Sequence, residues 1–286
     1  MRKQTRSIAT GASLAIAALL AAPSSQAAVT RYWGQNGPGT FAWSSVSNWS
    51  TSNTGSPTGA SAPGSASGDV ADLSRFNITG DVIVNIETAV VLKTLNVGDA
   101  VTQSNKYTLQ LAGGSLTMNG GAVGINAIIA NTNRSNGDVL PAMTFQSHVD
   151  VSNNAGISTP LTFANAITSA GFDFNYASSK LLTISGANAN FAGNWNLSNA
   201  GTTTFSNDAA IGSTSTGNLS RVINLSNGAA MKPGASFTLG ASRQIAIGSG
   251  GGQIEVSNSR TLTLGTAGQL TLSLIHISEP TRRYAI

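Results

Sequence analysis

The second half of the chain repeatedly places two apolar residues one position apart, at short and nearly even intervals. The most regular pairs are Ile223/Leu225, Phe237/Leu239, Ile245/Ile247, Ile254/Val256 and Leu262/Leu264. Their starts are separated by 14, 8, 9 and 8 residues. Because successive side chains of a strand point to opposite faces, each pair predicts a short strand with one buried face. Apolar spacing typical of a helix occurs only within residues 1–28, so we predict an all-β protein.

Two architectures accommodate short strands at this spacing, a stacked solenoid and a β-sandwich. Short strands, corners of Gly, Asn and Ser, and a charged fraction of only 9% favour the solenoid. A coil of three such strands takes roughly 24 residues, so residues 76–271 would make about eight coils. We therefore predict a right-handed parallel β-helix over 76–271. The β-sandwich is the alternative, because Asn119-Gly120 and Asn227-Gly228 are typical of hairpin turns.

Residues 29–75 differ in composition from the repeats that follow. They hold three of the four tryptophans, Trp33, Trp43 and Trp49, and a polar loop rich in Ser, Gly and Pro over 51–68. A solenoid exposes its core and an unpaired strand edge at its first coil unless something covers them. We expect the three indoles to form an aromatic N-terminal cap there. Indole faces also stack on sugar rings, so glycan binding by the same residues is the alternative.

The first 28 residues have the pattern of a secretory signal peptide. Arg2, Lys3 and Arg6 precede an Ala- and Leu-rich stretch, and small residues precede a predicted cut near Ala27/Ala28. The apolar stretch is short for a membrane anchor. We therefore expect cleavage and export, with no integral membrane segment in the exported part.

Residues 272–286 form a second segment that does not match the body of the chain. Histidine, proline, glutamate and two arginines crowd together here, and the segment resembles the translation of a transposon-end sequencing adapter. We expect the natural coding sequence to be readable only to about Thr271, so the chain would be an N-terminal fragment. His276 then belongs to the adapter, which leaves His148 as the one natural histidine.

The net charge of +4 comes from the two ends. Residues 1–28 and 272–286 hold five of the 15 basic residues and one of the 11 acidic residues, so 29–271 carries ten of each. A neutral body lacks the dense basic surface that phosphate contacts need, which argues against nucleic acid as a partner. The lack of cysteine excludes disulfides, thiol catalysis and Cys-ligated metals. We expect no cofactor.

Few residues in the body suggest catalysis. His148 and Asp150 would share one face of a strand, as a base and its orienting carboxylate require, but no nucleophile accompanies them in the sequence. The acidic residues are spread thinly, and Asp69/Asp72 is the one close pair, whereas glycosidases hold two carboxyl groups across the scissile bond. We therefore predict no catalytic and no metal-binding residues. The alternatives are a secreted polysaccharide-active β-helix enzyme and a β-sandwich carbohydrate-binding module.

Two stretches resemble the exported proteins that contain autotransporter-associated β-strand repeats. The matching residues are Tyr32-Trp33-Gly34, Gly39 to Ser44, Asn48-Trp49, Pro63 and Gly68-Asp69-Val70-Ala71 in the opening, and Leu181 to Asn188 with Phe191 to Trp195 in a repeat. They are similar to the patterns W…G…W-x-x-x-x-N-W…P…G-D-x-A and L-T-L-S-G-x-N-x-y-x-G, although the spacing from Pro63 to Gly68 is longer than usual.

This resemblance implies a non-enzymatic β-helical passenger with a structural or adhesin-like role. It places the protein at the cell surface or outer membrane, or in the extracellular medium. The resemblance implies no catalytic residues. The partners we expect are glycans and components of cell surfaces or the extracellular matrix.

Overall fold

The computed structural model describes residues 27–54, 57–101, 105–132, 136–154, 159–213 and 221–272. Over these ranges the chain forms β-strands and two short 3-10 helical turns, Val46–Asn48 and Asp208–Ile211. Residues 1–26 of the predicted signal sequence (1–28) and residues 273–286 of the predicted adapter segment (272–286) lie outside the described residues.

The strands form two long sheets and two short ones. Sheet 1 contains β1 (Thr30–Trp33), β3 (Trp49–Ser50), β4 (Val70–Asp72), β7 (Thr94–Val97), β10 (Ala127–Asn131), β13 (Val149–Asn153), β16 (Phe174–Ala177), β18 (Trp195–Ser198), β20 (Arg221–Leu225), β23 (Arg243–Ile247) and β26 (Leu270–Leu272). Sheet 2 contains β2 (Gly39–Ala42), β5 (Val82–Ile86), β8 (Tyr107–Leu111), β11 (Val139–Leu140), β14 (Leu161–Phe163), β17 (Leu181–Ile184), β19 (Thr202–Phe205), β21 (Ala229–Pro233) and β24 (Gly252–Ile254). Sheet 3 contains β6 (Ala89–Leu92), β9 (Ser115–Met118), β12 (Met143–Phe145) and β15 (Ile167–Ser169), and sheet 4 contains β22 (Phe237–Leu239) and β25 (Leu262–Leu264).

The chain visits the sheets in rotation, so a strand inside a sheet pairs with strands one turn before and one turn after it. Leu161 of β14, for example, lies opposite Leu182 of β17. The strand pairs are parallel except for β1 with β3, which is antiparallel. Parallel strands stacked in this way define a parallel β-helix, which confirms the predicted fold class. A β-sandwich is excluded, because its sheets are antiparallel.

The Asn-Gly dipeptides turn corners between sheets instead of closing hairpins. β20 and β21 flank Asn227-Gly228 but belong to sheets 1 and 2. Asn227 and Gly228 have φ values of 51° and 77°, the left-handed conformation that these two residue types tolerate best. The same backbone requirement serves a solenoid corner and a hairpin turn, so the dipeptide alone does not distinguish them.

The turns vary in length around the predicted 24 residues. The register advances by 21 residues where Leu181 faces Thr202, and by 34 where Thr94 faces Ile128. The extra length goes into corner loops, while the strands stay short. Loops are where insertions are tolerated, because their backbone is solvated.

Alternate side chains of the strands fill the bore of the solenoid. In β5, Val82, Val84 and Ile86 are fully buried and the residues between them are partly exposed. The prediction of burial is wrong for Val256 and Leu264, which are 44% and 38% exposed. Val256 lies beyond the end of β24, and β25 has a paired strand on only one side among the described residues.

Candidate functional site

The predicted cap residues Trp33, Trp43 and Trp49 meet in the first turn of the solenoid. The ring centroids are 5.0 Å apart for Trp33 and Trp49 and 4.8 Å apart for Trp43 and Trp49, both in edge-to-face geometry. The Trp43 indole N–H donates to the Pro63 carbonyl over 2.9 Å, and that of Trp49 to the Trp43 carbonyl over 2.6 Å. Each of the three residues is at most 1% exposed, so no indole face is open to a sugar ring in this packing.

The acidic residue of the Gly68-Asp69-Val70-Ala71 opening is completely buried. The Asp69 carboxylate accepts backbone N–H groups from the residue before β1 and from the end of the polar loop. The donors are Val29 at 2.8 Å, Gly64 at 2.7 Å, Ser65 at 3.1 Å and Ala66 at 3.3 Å. A carboxylate enclosed by amides organises the backbone of the first turn and is not accessible to a substrate.

His148 and Asp150, the candidate base and carboxylate, both face outward at the start of β13, but each is engaged by other groups. The Nδ1 atom of His148 accepts the backbone N–H of Asp173 over 3.0 Å. The Asp150 carboxylate accepts the side-chain amides of Asn126 and Asn175 over 2.9 and 2.8 Å. The Asp173 carboxylate lies 3.7 Å from the same Nδ1 atom.

A ladder of polar side chains runs along the outer face of sheet 1. Asp150, Asn175, Asn196 and Asn224 occupy the same register position on four successive strands. Asn175 donates to Asp150 over 2.8 Å, Asn196 to Asn175 over 2.8 Å, and Asn224 to Asn196 over 2.7 Å. Each amide thus donates to the preceding turn and, up to Asn196, accepts from the next, which fixes the orientation of the whole row.

Beside this ladder lies a groove of about 530 Å³ at the corner between sheets 3 and 1. One wall is the loop 119–126, where Val123 is fully exposed and Ile125 is 44% exposed. The other side is lined by Gln146, His148 and Phe172. The rings of His148 and Phe172 meet edge-to-face with centroids 5.7 Å apart. The groove therefore combines apolar surface with amide and imidazole groups.

Ser147 holds both ends of the groove loop. Its buried hydroxyl accepts the backbone N–H of Gly120 over 2.9 Å and that of Ala127 over 3.2 Å. A side chain at Gly120 would collide with the backbone carbonyl of Ile125. The loop therefore closes tightly on itself at this glycine and projects Val123 into solvent.

Two tyrosines lie inside the solenoid, away from the outer faces. Burial raises the pKa of Tyr107 well above its ordinary value, and the carboxylates of Asp138 and Asp99 raise it further. Burial raises the pKa of Tyr176 to about 12, and its hydroxyl donates to the Lys180 carbonyl over 3.0 Å. Both residues therefore fill the interior as neutral phenols at neutral pH.

A buried arginine fills the space where sheet 3 gives way to sheet 4. The side chain of Arg243 is fully buried and donates to the backbone carbonyls of Asp208 and Gly212. Its Nη2 lies 3.4 Å from the Asp208 carboxylate. Burial lowers the pKa of this guanidinium, and the Asp208 charge opposes that effect. The arrangement is structural, because the guanidinium is enclosed and binds backbone carbonyls, while the Asp208 side chain is 24% exposed.

The described residues contain no group of three or more His, Cys, Asp or Glu side chains that could hold a metal ion. In the same part of the chain, no helix is both long and apolar enough to cross a membrane.

The fold defines the class of this protein, a parallel β-helix with polar outer faces and an apolar bore. No protein-family model, curated protein or solved structure matches the chain.

Sequence reasoning found the tryptophan cluster and His148 but missed the groove. The signal present in the sequence was the run Asn119 to Asn126, where three glycines surround the apolar residues Val123 and Ile125. Apolar residues in a glycine-rich loop are exposed unless another element covers them. The contribution of Phe172 comes from a later turn and could not be assigned without the register.

Proposed function

We propose that the chain is exported and acts outside the cell as a rigid, non-enzymatic β-helical passenger with a structural or adhesin-like role. The observation that carries this proposal is the in-register ladder of Asp150, Asn175, Asn196 and Asn224 on the outer face of sheet 1. A row of polar groups that bond to one another along the axis suits contact with an extended surface. Catalysis instead needs groups that converge on one reacting bond.

The engagement of the candidate catalytic residues supports a non-enzymatic role. The Nδ1 atom of His148 is occupied by a backbone N–H, and Asp150 is occupied by two amides. Asp69, from the one close acidic pair, is buried among backbone N–H groups. The partners in these contacts are backbone N–H groups and side-chain amides.

Export is supported by the position of the predicted cut relative to the folded part. The cut near Ala27/Ala28 precedes Val29, whose backbone N–H binds Asp69. Cleavage there would leave the first strand and its contacts intact. The resemblance to proteins with autotransporter-associated β-strand repeats points to the same compartment.

A bead-retention assay tests this function. The purified full chain is coupled to beads and flowed over surfaces coated with neutral glycans, acidic glycans, matrix proteins or whole cells, with heat-unfolded chain as the control. We expect retention on at least one surface by the folded chain only. Uniform lack of retention would overturn the adhesive role, and release of new chain ends from pectin-like or other glycans would favour the polysaccharide-active enzyme.

A further inference from the structure

We propose that the groove between the loop 119–126 and His148 binds a neutral oligosaccharide that lies along the solenoid axis. The inference deepens the proposed extracellular role, on which it rests, by assigning the ligand class and the binding residues. It goes beyond the tryptophan hypothesis, because the three indoles are buried and this groove is open.

The groove carries the two kinds of surface that a sugar ring requires. Sugar rings present apolar C–H faces together with hydroxyl groups at their edges. Val123, Ile125 and Phe172 supply apolar surface, while Gln146 and His148 supply polar groups facing the same space. Sites for small molecules combine mostly apolar walls with a few placed polar groups in this way.

The polar groups of the groove repeat along the axis. Asn119 and Gln146 directly follow Met118 and Phe145, which face each other in adjacent parallel strands. The Asn119 amide donates to the Gln146 side-chain oxygen over 3.0 Å. Adjacent strands are about 4.8 Å apart, so a chain of sugar rings along the axis would meet these two amides on successive turns.

The groove is also held in shape before any ligand arrives. Ser147 accepts an N–H from each end of the loop, and Ile125 N–H donates to the Ala122 carbonyl over 3.2 Å within it. A preformed wall lowers the entropy cost of binding.

Charge selects uncharged sugars over acidic ones. The residues lining the groove include no Asp, Glu, Lys or Arg. The nearest carboxylates are those of Asp150, bound to Asn126, and Asp173, close to His148. An acidic polysaccharide would meet these negative charges without a lysine or arginine in the lining to balance it, and such like-charge juxtaposition is unfavourable.

The test is binding of defined hexasaccharides to the full chain, measured by titration calorimetry. The probes are neutral glucans, mannans and galactans of several linkages, with an oligogalacturonide of the same length as the acidic comparison. We expect at least one neutral probe to bind and the oligogalacturonide to bind at least about tenfold more weakly. Lack of binding by every neutral probe, or equal binding of the acidic probe, would overturn the proposal.

Three exposed groove residues provide variants, Gln146→Ala, His148→Ala and Val123→Ser. We expect each substitution to weaken binding of the neutral probe by about tenfold, which corresponds to the loss of one good polar or apolar contact. The matched control is Gln110→Ala, because Gln110 is also an exposed glutamine and donates to Asn85 one turn away over 2.8 Å. Groove variants that bind as well as Gln110→Ala would contradict the assignment, and circular dichroism confirms that each variant is folded.

The bead assay separates the groove from the broader function. If wild-type chain and Gln146→Ala are retained equally on cell surfaces and bind the probe equally, the groove proposal fails while the adhesive role stands. If the wild-type chain binds the neutral probe but its beads are retained on no surface, the adhesive role fails while the groove proposal stands.

Discussion

The backbone N–H of Val29 donates to the carboxylate of Asp69 over 2.8 Å, across 40 positions of sequence. The same carboxylate binds the loop at Gly64 to Ala66, so one buried side chain connects the first strand with the end of the polar loop. The edge of sheet 1 is covered next to this point by β3, which pairs with β1 in antiparallel orientation. The first turn is therefore held by specific polar contacts as well as by the tryptophan cluster.

Replacing Asp69 with alanine is predicted to destabilise the protein by at least about 3 kcal/mol. The change leaves four backbone N–H groups without this acceptor, the buried one of Gly64 and the partly buried ones of Val29, Ser65 and Ala66. A buried N–H without a partner costs about 1–3 kcal/mol, and the partly buried ones add less. The matched control is Asp72→Ala, because the half-buried Asp72 accepts the backbone N–H and the hydroxyl of the nearby Ser74. Urea denaturation of both variants checks the prediction, and equal losses would contradict it.

Replacing Trp43 with alanine tests the cap. Removal of a fully buried tryptophan is predicted to cost about 3–5 kcal/mol, with no change in binding of the neutral hexasaccharide to the groove. Val46→Ala is the control from the same segment, since Val46 is 53% exposed, and it is expected to change stability by less than about 0.5 kcal/mol. Unchanged stability with lost glycan binding in Trp43→Ala would instead support sugar stacking by the indoles.

The buried Tyr176 makes stability depend on pH in the alkaline range. Its pKa is raised from 10.0 to about 12 in the folded protein. The stability that it contributes is therefore complete below pH 10 and is lost as the pH rises through about 12, because the unfolded state releases its proton first. The free energy of unfolding, taken from denaturation curves between pH 9 and 12, should fall less steeply with rising pH for Tyr176→Phe than for the wild type.

Tyr176→Phe also isolates the contribution of the hydroxyl group to stability, because the variant keeps the aromatic ring. At pH 7, Tyr176→Phe is predicted to lose about 1 kcal/mol with the hydrogen bond to Lys180. Tyr107→Phe is the matched comparison, because the buried Tyr107 hydroxyl has no hydrogen-bond partner among the described residues, and its removal should be neutral or stabilising. Identical pH slopes for Tyr176→Phe and the wild type would contradict the assignment.

The strands could be predicted from the sequence because their signal is local. The pairs Ile223/Leu225 and Ile245/Ile247 lie on β20 and β23 and face each other in register. Alternation at period 2 depends only on the chirality and geometry of a strand, so it survives in any architecture. The choice of a solenoid followed from strand length and corner composition, and the structure confirms it.

The contacts between turns could not be predicted, because they depend on loop lengths that change the register. Arg243 reaches Asp208 and Gly212 in the preceding turn, and Phe172 reaches His148. Neither pair has a fixed spacing that a sequence pattern would reveal. The groove arises from such contacts, whereas the tryptophan cluster lies within one short segment.

The central claim is that successive turns stack in parallel and in register, since the ladder and the groove both require it. The chain contains no cysteine, so an introduced pair reports one contact without interference. Thr183 and Thr204 face each other in register on β17 and β19, and strands about 4.8 Å apart lie within disulfide range.

The decisive measurement compares intramolecular disulfide formation in Thr183→Cys/Thr204→Cys and Thr183→Cys/Ser206→Cys under the same mild oxidant, by thiol titration and intact mass. Ser206 lies two positions beyond Thr204, so the second pair is out of register. Parallel in-register stacking predicts rapid, nearly complete bridging in the first variant and slow, partial bridging in the second. Equal rates for the two pairs, or no intramolecular bridge in the first, would contradict parallel in-register stacking.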